Sequence, residues 1–173
     1  MKLCTMIFLL TFVLITYAEK ADSSINSSLY TVKAEIKEVK HRTLEAVVRG
    51  HKVIIDQPTM FGADDLGPTP PEYLAISYGS CIISTIQFIA MQRGLKIENV
   101  SVAVEGVIDF SKAMGIQSSK RAGLSGLKTK IYFKSSLNDE EKKAFLSDVF
   151  KVGAAIDNIQ NTTPVTYEII DIK

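Results

Sequence analysis

The sequence predicts an α+β domain in which helices are segregated to one face of an antiparallel sheet. Three observations carry this. Short stretches of two-residue hydrophobic alternation lie on both sides of one long apolar stretch, residues 73–91. That stretch opens on a helix-capping sequence and is too long for a strand. A second helical stretch with a single apolar stripe follows the later alternating segments, so the order reads β-β-β-α-β-β-α-β.

Ahead of the domain, Met1 to Ala18 reads as an export signal, with Lys2 as its positive start, Met6 to Ile15 as its apolar run and Thr16-Tyr17-Ala18 as a small-x-small end. The run is too short for a full membrane span. This reading exports the protein to a periplasm or the exterior. The alternatives are an uncleaved membrane anchor, or a cytoplasmic chain whose start is mis-assigned. Residues 19–28 form a polar tether and 29–173 a single domain.

The first strand is expected where Tyr30, Val32, Ala34 and Ile36 alternate with polar residues. Leu44 to Val48 and Val53 to Ile55 are two more strands, and Arg49-Gly50-His51 suits a tight hairpin turn. Thr59 to Pro68 is a loop. Thr69 then caps the long helix, Pro70 or Pro71 fits its first turn, and Glu72 completes a capping box. The helix is apolar nearly all round, which expects burial on most sides, at the domain centre or in a subunit interface. Gly94 stops it.

Val100 to Phe110 alternates as a long strand, 111–126 is a Gly-, Ser- and Lys-rich mobile excursion, and Leu127 to Phe133 returns antiparallel. Asn138 caps the second helix, with Asp139, Glu140 and Glu141 at its positive end. Phe145, Leu146, Val149 and Phe150 are its apolar stripe. Val165, Tyr167 and Ile169 make a last strand. Covering so apolar a helix calls for a second copy, and a homodimer is expected.

Several functions are excluded. Removal of Lys2 with the signal leaves basic and acidic residues equal in number, which argues against a nucleic-acid partner. Two histidines and the two cysteines, Cys4 and Cys81, give no metal-ligand cluster, and no cofactor motif is present. With Cys4 inside the signal, Cys81 alone remains, so no intrachain disulfide can form. Its thiol is either a small hydrophobe in a core or a nucleophile in an apolar pocket.

The segment Gly67-Pro68-Thr69-Pro70-Pro71-Glu72-Tyr73-Leu74, six residues and then Cys81 on a long apolar helix, together with the element order, resembles the OsmC/Ohr family of organic hydroperoxide reductases over roughly Tyr30 to Ile172. Arg49-Gly50-His51-Lys52-Val53 and Gly62 to Gly67 resemble its YhfA-like subgroup. The resemblance implies an intertwined homodimer with paired long helices, and two active sites at the interface. Cys81 matches the attacking cysteine, Glu72 the family's glutamate, and Arg42 its arginine, with Arg49 a second candidate. The family's resolving cysteine falls at Gly153, and no cysteine follows Cys81.

The function so implied is a thiol-dependent peroxidase that reduces organic hydroperoxides through one cysteine and is regenerated by an external thiol. The alternative is a non-catalytic dimer, structural or binding an apolar small molecule, whose Cys81 is not redox-active. Whether the chain is an enzyme stays open at this point. Glu72 is already accounted for as a cap. Nine residues of straight helix separate it from Cys81 by about 13.5 Å and about half a turn. The two meet only if the helix breaks, near Gly79, or if another chain supplies the carboxylate.

Overall fold

The computed structural model describes residues 28–172. The export signal and nearly all of the tether lie outside the described residues. The chain divides into two compact units, 1–35 with 47–51, and 36–46 with 52–173. Of the smaller unit the described part is 28–35 and the turn around Arg49 and Gly50, where φ of 51° and 83° suits a two-residue hairpin turn.

Three strands come first: β1 (Glu35–Lys40), β2 (Thr43–Val48) and β3 (His51–Ile55), in the sheet order β1-β2-β3. Glu45 stands between Lys37 and Lys52, 3.3 and 3.2 Å from their ammonium groups, an ionic row across the sheet. A short 3₁₀ turn, Thr59–Phe61, precedes the long helix α1 (Pro70–Gln92). Thr69 and Glu72 form the expected capping box. At the other end Gly94, with φ of 62°, lets the Leu95 N–H donate to the Ala90 carbonyl and its own N–H to Met91, a Schellman stop.

Strands β4 (Glu98–Gly106) and β5 (Leu127–Lys134) form a separate antiparallel pair, with Val104 opposite Thr129 and Val102 opposite Ile131. An extra residue is absorbed between Glu98 and Ser101, where Asn99 takes a φ of 54°. Helices α2 (Asp139–Val152) and α3 (Ala154–Gln160) complete the larger unit. A capping box of Asn138 and Glu141 opens α2. The core joins Tyr78, Ile82, Ile86 and Ile89 of α1 to Phe145 and Val149 of α2 and Ile156 of α3. Gly79 lets α1 lie close on β4: a Cβ there would stand 3.2 Å from a Val104 methyl.

The class is the expected α+β, with differences in detail. One sheet was expected and two are present among the described residues. The first strand begins at Glu35, not Tyr30, and Tyr30 and Val32 are exposed. Strand β4 stops at Gly106, where Leu124 and Leu127 crowd the backbone, so Ile108 and Phe110 fall beyond it. Within the expected excursion, residues 110–116 close hydrogen-bonded turns and the Ser125 N–H donates to the Val107 carbonyl. The last strand does not form: Val165, Tyr167 and Ile169 alternate as expected but are exposed, and alternation makes no ladder without a neighbouring strand. Helix α3 has no counterpart in the expected order. Finally, among the described residues α1 is packed chiefly on the side met by β4, α2 and α3, and Phe88 and Met91 are 54% and 71% exposed.

The Gly79 contact yields a stability test. Gly79→Leu forces a branched side chain between α1 and β4 and is expected to cost about 1–3 kcal/mol in urea unfolding.

Candidate functional site

Cys81 is a free thiol, half-buried on α1 immediately before the fully buried Ile82. One turn on, the Thr85 hydroxyl lies 4.0 Å from Sγ and donates to the Cys81 carbonyl at 2.8 Å. Opposite the sulfur stands Gly153, buried, at the extended break between α2 and α3. A Cβ built at 153 would lie 3.3 Å from Cys81 Sγ and 2.5 Å from Ile156 Cδ1. Cys81 and Gly153, 72 residues apart in sequence, therefore face each other, and Ile156 occupies the space a side chain at 153 would need.

Glu72 is elsewhere. Helix α1 runs unbroken from Pro70 to Gln92, and Gly79 serves helix–strand contact rather than a break. The Glu72 carboxylate accepts from the Thr69 N–H at 2.7 Å and from the Thr69 hydroxyl at 2.8 Å, and these bonds hold it below the ordinary carboxylate range. It borders an apolar cleft of about 470 Å³, walled in part by Phe61, Ala75, Val104 and Leu127. Arg42, in the turn between β1 and β2, borders a second cleft of about 480 Å³. Cys81 lines neither. One chain thus brings Gly153 to the thiol and leaves Glu72 and Arg42 at other sites. Arg49 belongs to the smaller unit.

Two carboxylates that shape the clefts escape sequence reading. Asp56, 1% exposed, accepts from the Leu66 N–H at 2.9 Å, and its own N–H donates to the Pro68 carbonyl at 3.2 Å. The Leu66 amide outweighs burial and lowers its pKa. Asp56 thereby ties down the loop carrying Gln57, Pro58 and Phe61, which wall both clefts or one of them. Asp109 accepts from the hydroxyl and N–H of Ser111 at 2.5 and 2.9 Å, which lower it to about 2. It fixes the turn presenting Phe110, whose ring meets Phe61 edge-on at 5.7 Å. The available signals were an Asp closing a strand and an Asp-x-Ser turn, and neither is specific. Among the described residues no His, Cys, Asp and Glu side chains group to hold a metal.

Glu72 gives a pH test. Its folded pKa lies below the ordinary 4.5, so its share of stability is complete above that value and is lost as pH falls through the lowered one. The urea midpoint should fall between about pH 6 and about pH 3, and less steeply in Glu72→Gln. Equal slopes would deny Glu72 that role.

The family described as OsmC-like protein matches residues 62–168. Among solved structures, an OsmC-like protein from Mycoplasma pneumoniae is 18% identical at a TM-score of 0.63, covering 79% of this chain and 90% of that one. An organic hydroperoxide resistance protein OsmC from Legionella pneumophila is 20% identical at 0.56, covering 78% and 92%. A putative organic hydroperoxide resistance protein from Vibrio cholerae, with captopril bound in one of its active sites, is 13% identical at 0.57, covering 80% and 90%. No protein with a curated description matches the sequence.

Proposed function

The chain belongs to the OsmC-like protein family, and from that premise we propose that it is a thiol-dependent peroxidase, reducing organic hydroperoxides through Cys81 as a homodimer. The observation that carries the reading is the 3.3 Å approach of a Cβ at position 153 to Cys81 Sγ. Position 153 is where the resemblance puts the resolving cysteine, and it is occupied by glycine. The closeness of the two positions supports the reading, with one sulfur present of the two that such chemistry uses.

The reaction follows from thiol chemistry. The Cys81 thiolate attacks the outer oxygen of the hydroperoxide and the O–O bond breaks. The sulfur takes that oxygen as a sulfenic acid, and the alkoxide leaves as the alcohol after gaining a proton. Glycine at 153 cannot attack the sulfenic sulfur. An external thiol does so, releasing water and forming a mixed disulfide, and a second thiol equivalent frees Cys81 as an external disulfide forms. Without a reductant, excess peroxide carries Cys81 to the irreversible sulfinic acid. On the export reading, the reductant must itself be available outside the cytoplasm.

Exposed apolar surface supports the homodimer. Leu74, Ile76, Phe88 and Met91 on α1, and Val165, Tyr167, Ile169 and Ile172 beyond α3, are all exposed in the single chain. Surface of this extent marks an interface, and the unpaired tail alternates as a strand adding to a sheet edge does. A second copy is also the route by which Glu72 or Arg42 could serve the thiol, as the resemblance implies. The Cys81 sulfur's place against the hydrophobic core favours the second reading, a binding or structural dimer with an inert thiol.

Two experiments decide. Cumene hydroperoxide followed by dimedone should label Cys81 in a protein whose native mass is that of two chains, and Cys81→Ser should abolish the label. Absence of label at large peroxide excess selects the inert-thiol reading. Second, Gly153→Cys combined with Ile156→Val, which relieves the 2.5 Å contact, should form a 81–153 disulfide on peroxide treatment, seen as loss of two thiols by titration. Persistence of both thiols would separate position 153 from the resolving role.

A further inference from the structure

The outward face of the β4–β5 pair serves neither the core nor the candidate site. Alternation sends Val102, Val104, Leu127 and Ile131 inward against the core built on α1. The other phase, exposed throughout, sets Lys128, Lys130, Tyr132 and Lys134 along β5. About 20 Å of strand therefore carries three ammonium groups, with the Tyr132 ring, 53% exposed, between the last two.

The opposite strand does not neutralise them. Lys130 stands across from Ala103 and Tyr132 from Ser101. Lys134 stands across from Glu98, whose carboxylate is held by Lys96 at 3.3 Å. Glu105 stands across from Lys128. Even so, Lys128, Lys130 and Lys134 form no ion pair among the described residues. Lysines about 7 Å apart along a strand repel within one Debye length, a cost that an anionic partner removes.

The face also says what kind of anion it fits. With small Ala103 and Ser101 opposite, it is a platform rather than a groove. An acidic peptide would call for a groove or a free strand edge to hold its backbone. The charge balance of the chain already disfavours a nucleic acid. Tyrosine and lysine both carry an apolar body with a polar tip, the form that sits at the headgroup level of a bilayer. At the Lys128 end the face runs onto Val107, 66% exposed, which shares a shallow hollow with Lys128 and Glu105. Cations with apolar side chains among them supply the two contributions on which surface binding depends.

We propose that the outward face of β4–β5 docks on an anionic phospholipid bilayer, with Lys128, Lys130 and Lys134 at the phosphates and the Tyr132 ring between headgroups. This goes beyond the peroxidase reading and does not rest on it. The face lies on the side of the pair away from α1, and so is not the surface on which a second copy is proposed.

The full chain is acetylated at its amines with a limiting reagent, alone and with vesicles of phosphatidylglycerol or of phosphatidylcholine, and each lysine is read by mass spectrometry. Phosphatidylglycerol should lower labelling of Lys128, Lys130 and Lys134 severalfold, and phosphatidylcholine should not. Lys143 on α2, exposed and off the face, should change with neither. In flotation with phosphatidylglycerol vesicles, Lys130→Gln combined with Lys134→Gln should weaken binding about twenty-five-fold, about fivefold for each lysine at a charged surface. The charge-matched pair Lys142→Gln and Lys143→Gln should keep the parent's affinity. The apolar run Met6 to Ile15 is common to every variant and cancels in that comparison. Cys81→Ser should bind as the parent does, which separates this result from the peroxide experiments. The proposal is overturned by unchanged labelling of the three lysines, by equal protection with phosphatidylcholine or at Lys143, or by equal losses in the two double variants. Protection by polyglutamate or polyuridine where vesicles give none overturns it as well, and assigns the face to a peptide or to RNA.

Discussion

Helix α1 can approach β4 as closely as it does because residue 79 has no side chain, and a Cβ there would stand 3.2 Å from Val104. That contact, with the Thr69–Glu72 box at the start of the helix, fixes its rotation as well as its position. With about 100° per residue, one phase puts Tyr78, Ile82, Ile86 and Ile89 inward together. Cys81 then falls at the border of the buried stripe, turned toward the junction of α2 and α3. The surroundings of the thiol are thus set by helix phase, and residues several turns away share in setting it. A different rotation of α1 would either seal the sulfur in the core or expose it fully.

Features held by local chemistry were legible in the sequence. Both capping boxes involve residues three apart, the Arg49–Gly50 turn needs only its own backbone freedom, and β4 and β5 are joined by one connection, so pattern and neighbour agree. Features that depend on a distant or missing partner were not. Tyr30 to Ala34 and Val165 to Ile169 carry the two-residue period of strands but have no ladder in the single chain. Helix α3 is too short to announce itself, with Ile156 and Ile159 as its only apolar pair. Asp56 looks like any polar residue at a strand end, and its burial follows from a loop folding back to place Leu66 and Pro68 against it.

The candidate site was legible in a different way. Spacing alone could place Glu72 far from Cys81, and the unbroken helix agrees. Nothing in composition or periodicity pointed from Cys81 to Gly153; only the family resemblance did. Their proximity is a product of tertiary packing, with α2 and α3 both resting on α1. Arg42 shows the limit of such transfer, because in one chain it faces an apolar cleft lined by methionines and aromatic rings.

Glycine at 153 and isoleucine at 156 are best understood as one coupled feature. The break between α2 and α3 has φ of −74° and ψ of 119°, an extended geometry open to any residue, so the backbone does not demand glycine there. What excludes a side chain is Ile156, fully buried, whose Cδ1 would lie 2.5 Å from the new Cβ. Filling the core at 156 and emptying position 153 compensate each other in volume, as close-packed interiors require. The chemical consequence is directional: the inner side of the Cys81 sulfur meets the hydrocarbon of the core, at the position the resemblance assigns to a second sulfur. Any thiol that reduces an oxidised Cys81 must approach from the side away from Ile156, along the half-exposed flank of α1. That flank leads onto apolar surface exposed among the described residues, Leu74 and Phe88 of α1, so the proposed regeneration of the thiol and the proposed second copy would meet on the same face.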